Sequence, residues 1–158
     1  MQQAALKKYH IKTWGCQMNT YDSGRIGEIL QTVGYENTDD VTEAELVILN
    51  TCHIREKATE KVFSDIGRLK KIKDRRKLIG LNLIIGVAGC VAQAEGAQIL
   101  KRSKDVDFVL GSQMWNELPE ILEKIENKGG NNKVFESDAF DENFLELLAH
   151  VKIKFSST

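Results

Sequence analysis

The amino-acid sequence predicts an α/β domain: an open, mostly parallel sheet of four or five strands with helices on both faces. Three observations carry that expectation. Short apolar runs alternate with longer amphipathic stretches, the pattern of βαβ units. Two of the runs, Leu46 to Leu49 (LVIL) and Leu83 to Val87 (LIIGV), are almost continuously apolar, as strands buried on both faces must be. The amphipathic stretches space their apolar residues at helical intervals and are long enough for crossovers between parallel strands.

In chain order, Tyr9 to Trp14 reads as the first strand, ended by Gly15. Asn19 or Thr20 is the expected cap of a helix, because a short polar side chain accepts a bond from a free first-turn N–H. Ile26, Ile29, Leu30 and Val33 form its apolar stripe, and Gly34 supplies the positive φ of a helix end. The LVIL strand leads into Asn50, Thr51 and Cys52. A helix from Arg55 to Lys73 follows, with Val62, Ile66, Leu69 and Lys73 on one stripe and Phe63 and Ile72 beside it. The LIIGV strand ends at Gly89 and Cys90. Ala92 to Ser103 is read as helix and Val106 to Leu110 as strand, ended by Gly111. The last helix shows Leu118, Ile121, Leu122 and Ile125, with Asn116 as cap and Pro119 tolerated in the first turn. Crossovers are expected to be right-handed. Asn127 to Lys133 (NKGGNNK) is a loop, so the domain is placed at 8–128 and a linker or tail at 129–158. In the tail, Phe140, Phe144, Leu147 and Leu148 are helically spaced, and Val151, Ile153 and Phe155 alternate.

At 158 residues the chain fits one domain, and 42% hydrophobic with 28% charged residues is an ordinary globular composition. Twenty-two Lys and Arg against 23 Asp and Glu give a net charge of −1, which disfavours a general electrostatic nucleic-acid binder. The segment Met1 to Lys8 lacks the apolar core of a signal peptide. The longest apolar stretch, Leu81 to Val91, is interrupted by Asn82, Gly86, Gly89 and Cys90, so no membrane span is expected. Three cysteines, an odd and scattered set, argue against a disulfide framework and for a reducing compartment. A cytoplasmic monomer is the expectation.

Cys16, Cys52 and Cys90 lie at intervals of 36 and 38 residues, without a C-x-x-C pair. Each follows a predicted strand and precedes a predicted helix. The carboxyl ends of parallel strands form the ligand-binding edge of such sheets. A helix N-terminus lowers a thiol pKa toward the thiolate that metals need. The plainer reading is three small buried hydrophobes. Three soft thiolates at one edge suit zinc or an iron–sulfur cluster. Zinc normally takes four ligands, and His53, next to Cys52, points to the other face in extended backbone. His10 and His150 read as ordinary histidines. Three ligands without a fourth leave a [4Fe–4S] cluster with one open iron.

The residues around these cysteines carry a family resemblance. Gly15-Cys16-Gln17-Met18-Asn19 with Asp22-Ser23, Asn50-Thr51-Cys52 with Arg55-Glu56-Lys57-Ala58, and Gly86-Val87-Ala88-Gly89-Cys90-Val91-Ala92-Gln93 resemble, in order, three motifs of the radical-SAM methylthiotransferase family. Val106-Asp107 and Leu110-Gly111-Ser112-Gln113 resemble the segment that follows, with Ser112 where the family often has proline. The resemblance covers about residues 9–125. It implies an N-terminal domain holding an auxiliary [4Fe–4S] cluster through Cys16, Cys52 and Cys90. In the whole enzyme it further implies S-adenosylmethionine, a second [4Fe–4S] cluster on a C-x3-C-x2-C motif, a sulfur donor, and tRNA. The reaction it implies is methylthiolation of an isopentenylated adenosine beside the anticodon. All three cysteines are used by the first motif set, so C-x3-C-x2-C is absent. The chain therefore resembles the N-terminal domain alone, not catalytic by itself. A stand-alone zinc or redox-binding module and a non-metal α/β interaction domain are the alternatives.

Other features weigh less. Arg68 to Lys77 (RLKKIKDRRK) holds seven basic residues and one acid. It fits phosphate contact, or simply a solvated helix end where cations complement the dipole. Asn19, Asp22, Asn50, Thr51 and Gln93 lie near the cysteines and fit either ligand-orienting groups or turns and caps. Trp14 and Trp115 read as packing residues. P-loop and dinucleotide fingerprints are absent, as is any Ser/His/Asp or Cys/His nucleophile set.

Overall fold

The computed structural model describes residues 6–13, 17–51, 57–89, 98–111, 115–127 and 134–136. The elements are β1 (Lys7–Thr13), α1 (Gln17–Thr32), β2 (Tyr35–Asn37), β3 (Leu46–Thr51), α2 (Lys57–Leu78) and β4 (Ile84–Gly89). They continue with α3 (described over 98–102), β5 (Phe108–Leu110), α4 (Leu118–Asn127) and β6 (Val134–Glu136). Short 3-10 turns precede β3 (Val41–Glu43) and α4 (Trp115–Glu117).

The six strands form one sheet in the order β2-β1-β3-β4-β5-β6, every neighbouring pair parallel. The expected α/β fold is therefore present. β1, β3, β4 and β5 are the four strands expected from the apolar runs. The edge strands β2 and β6 are three residues each, too short to show a periodicity. β6 falls in the stretch read as tail.

Strand residues alternate between two cores. Leu46, Ile48, Ile84, Ala88, Phe108 and Leu110 face one side with α1 and α4. Val47, Leu49, Ile85, Val87 and Val109 face the other with α2 and α3. That double burial is why LVIL reads as one apolar run. Where the Phe108 ring crosses Gly86, a Cβ on Gly86 would come within 2.1 Å of it, so the glycine is a packing requirement.

Several boundaries differ from the expectation. α1 starts at Gln17, so Asn19 and Thr20 lie inside the helix and neither is its cap. α1 also ends at Thr32, leaving Val33 outside the stripe and 42% exposed, while Gly34 takes φ +93° as expected. α2 runs on to Leu78, because Lys and Arg are good helix formers and the first breaker is Gly80 at φ +77°. Asn116 belongs to a 3-10 turn rather than capping α4. β5 begins at Phe108, two residues after Val106. The expected helix at Ala92 to Ser103 is described from residue 98 on.

The connections divide unequally between the faces. α2 and α3 carry the chain from β3 to β4 to β5 on one face, and α1 carries it in the opposite sheet direction on the other. Those three connections share one hand. α4 returns to the face of α1 while the chain still moves outward to β6, so this helical connection has the hand opposite to those three. The amphipathic stripe of α4, Leu118, Ile121, Leu122 and Ile125, is fully buried against that face beside α1.

Candidate metal centre at the carboxyl edge of the sheet

β1, β3 and β4 are consecutive neighbours in the sheet. Their carboxyl ends are aligned: Thr13 is the partner of Asn50, and Thr51 of Gly89. These are the strands that lead to the three cysteines. Cys16 comes three residues after Thr13, Cys52 one after Thr51, and Cys90 one after Gly89. The cysteines themselves lie outside the described residues. Because the strands are parallel, three chain segments 36 and 38 residues apart leave the sheet at one edge.

That edge is braced by polar groups. Asn50 is fully buried and donates through Nδ2 to Ser23 Oγ at 2.9 Å. Ser23 Oγ also shares a proton with Thr13 Oγ1 at 2.6 Å. One hydroxyl on α1 thus ties the ends of β1 and β3 together. Thr51 is buried and its hydroxyl lies 3.5 Å from the Ala88 carbonyl. Gly89 stands at φ +94°, where a side chain is strained, and a Cβ there would sit 2.3 Å from Thr51 O and 2.7 Å from Asn50 Oδ1. Glycine therefore lets the end of β4 close onto the end of β3.

Of the flanking groups singled out from sequence, Asn50 and Thr51 are at this edge, and Asp22 is half-buried on α1. The Asn19 side chain and Gln93 lie outside the described residues, as do Trp14, His53 and His150. His10 Nδ1 sits 2.9 Å from the Thr38 carbonyl, an ordinary structural role. Trp115 is buried in the core beside α1 and α4. Sequence reasoning did not pick out Thr13. Ser23 was visible in the first motif, but its link to Asn50 depends on α1 crossing over β3. Among the described residues, no group of three His, Cys, Asp or Glu could hold a metal ion.

The opposite edge holds a cleft of about 410 Å³. Its polar groups are paired across elements. Glu126 of α4 accepts from Lys7 Nζ at 2.5 Å and from the Tyr35 hydroxyl at 3.0 Å. Burial, and then the Glu126 carboxylate, push the Tyr35 hydroxyl well above the ordinary phenol range. Asp107 accepts from Lys73 Nζ at 2.7 Å and from Ile85 N at 2.9 Å.

A family model described as uncharacterized protein family UPF0004 matches residues 8–111. Two curated relatives are named tRNA-2-methylthio-N(6)-dimethylallyladenosine synthase. One is from Rickettsia prowazekii and one from Rickettsia typhi. Each is 57% identical to this chain over 120 residues, covering 75% of the chain and 27% of the relative. The chain thus spans about a quarter of the length of these relatives. Among the described residues no helix is long and apolar enough to cross a membrane.

Proposed function

We propose a function from one premise: the chain belongs to the UPF0004 family. It serves as the N-terminal, auxiliary-cluster domain of a tRNA methylthiotransferase. That enzyme adds a methylthio group to N6-isopentenyladenosine next to the anticodon. Residues 8–128, with β6 added at the edge of their sheet, form the cluster domain, and the rest of 129–158 leads toward the domains that hold S-adenosylmethionine and a second [4Fe–4S] cluster. The chain alone is not catalytic. It works in the cytoplasm as a monomer, with tRNA and a sulfur donor as partners of the whole enzyme.

The observation that carries this reading is the alignment of Thr13, Asn50, Thr51 and Gly89 on three neighbouring strands. It sets three chain segments at one edge, each one to three residues from a cysteine. Soft thiolates fit iron–sulfur chemistry. Cys16, Cys52 and Cys90 would hold a [4Fe–4S] cluster that, when bound, offers one iron without a protein ligand to sulfur. The role of the chain's other residues is positional. Ser23 and Asn50 hold the ends of β1 and β3 in register, and Gly89 keeps the β4 end close.

Anaerobic reconstitution with iron and sulfide tests the reading. About four irons per chain are expected, the content of the cluster type, with loss in each of Cys16→Ala, Cys52→Ala and Cys90→Ala. Tight zinc without iron uptake would make it a zinc module instead. Absence of both metals would leave a non-metal interaction domain.

A further inference from the structure

The two faces of the sheet carry opposite charge. α2 has nine basic residues against three acids. On the other face, α1 and α4 together have two basic residues, Arg25 and Lys124, against five acids. The chain's near-zero net charge hides this division.

Not every cation of α2 is available. Arg76 is buried, donating to the carbonyls of Asn82 and Thr42 at 3.2 and 3.0 Å. Lys73 is committed to Asp107. Of the seven others, four form a line on one exposed flank, and Lys70 and Lys77 are exposed off it. Lys61, Arg68, Lys71 and Arg75 are all exposed. At 3.6 residues per turn they fall within an arc of about 80°, and they span about 21 Å of helix. Arg68 has Asp65 at 3.6 Å, with its own side chain 76% exposed. Lys61, Lys71 and Arg75 make no ion pair among the described residues. Lys101, Arg102 and Lys104 are exposed as well, but Arg102 lies 4.0 Å over the Phe63 ring, on another flank of α2. Cations that only complemented a helix dipole would crowd into the last turn. These begin in the second turn of α2, near the carboxyl edge of the sheet, and run back from it.

We propose that this stripe on α2 is a binding surface for the phosphate backbone of RNA, leading to the carboxyl edge where the cysteine-bearing segments leave the sheet. The inference rests on the tRNA reading above and adds the surface to it. A row of cations spread over several turns fits the repeating charge of a nucleic-acid backbone. The exposed aliphatics Leu78 and Ile79 lie only at the far end, which fits a membrane surface poorly.

The test uses the 158-residue chain and a labelled anticodon stem-loop RNA, with affinity followed from 50 to 200 mM salt. The variant K61Q/R68Q/K71Q/R75Q keeps helix propensity. It is expected to bind about thirty-fold more weakly at low salt, with a log–log salt slope shallower by about 3. The variant E28Q/E120Q/E123Q on the opposite face is expected to stay within about twofold of the parent, because the stripe is untouched. Loss of parental affinity for RNA altogether, or equal affinity in the stripe variant, overturns the proposal. So does loss of binding to phosphatidylglycerol vesicles in the stripe variant while RNA binding is kept. Iron uptake is measured on the same samples. A chain that loads iron while the stripe variant binds RNA normally sinks this inference and leaves the cluster reading standing. A chain that binds RNA through the stripe without taking iron does the reverse.

Discussion

At the amino edge of the sheet, charged side chains from different elements meet in pairs: Lys7 with Glu126, Lys73 with Asp107. At the carboxyl edge, the groups that link the strand ends are neutral, Thr13, Ser23, Asn50 and Thr51, while Lys12 one residue inside pairs with Asp65 of α2. The first edge clamps elements together through opposite charges. The second ties strand ends together through neutral groups. In a parallel sheet the two ends of each strand can thus carry different duties, stability at one end and ligand chemistry at the other.

The sharpest break of that comparison is Asp107→Ala. It removes a buried carboxylate, takes the acceptor from the Ile85 N–H and breaks the Lys73 ion pair, leaving Lys73 the Asp105 carbonyl. We expect a loss of about 3 kcal/mol in urea unfolding, with iron per folded chain unchanged. A loss below about 1 kcal/mol, the range of an exposed pair, would deny the amino edge its stabilising role. Gly89→Ala comes next. It combines positive φ with a 2.3 Å approach to the Thr51 carbonyl, and about 2 kcal/mol is expected. Here iron uptake by the folded fraction falls as well, which distinguishes the two edges. The smallest effect is Tyr35→Phe. The Tyr35 hydroxyl is held above its ordinary value by burial and Glu126, so its contribution is present below about pH 10 and lost as pH rises above it. Difference unfolding curves between parent and variant from neutral to strongly alkaline pH are expected to converge only at the alkaline end.

Much of this was legible in sequence. LVIL and LIIGV are buried on both faces, and a run of that kind announces a central parallel strand. The cysteines, each soon after a predicted strand, point in sequence to the carboxyl edge of the sheet. What sequence did not reveal are quantities set by three-dimensional approach. Ser23 bonds Asn50 across 27 residues, and Gly89 is tight because of Thr51, not because of its own neighbours. Lys73 and Arg76 belong to one basic run with Lys71 and Arg75, yet only packing separates the committed cations from the solvent-facing ones. The three-residue edge strands had too few positions to show a period.

Every ladder in the sheet joins residues far apart: Lys7 with Tyr35, Ile11 with Ile48, Ile48 with Gly86, Gly86 with Phe108 and Phe108 with Val134. There is no hairpin among the described strands to seed the others. Loop closure must precede each pairing, so such sheets assemble slowly. During synthesis from the N-terminus, β1 meets the short β2 first and then waits for β3, and β3 waits for β4. The carboxyl edge is complete only when the chain has been made as far as Gly89, one residue before the third cysteine. Synthesis order, as well as space, therefore sets when the three strand ends come to lie side by side.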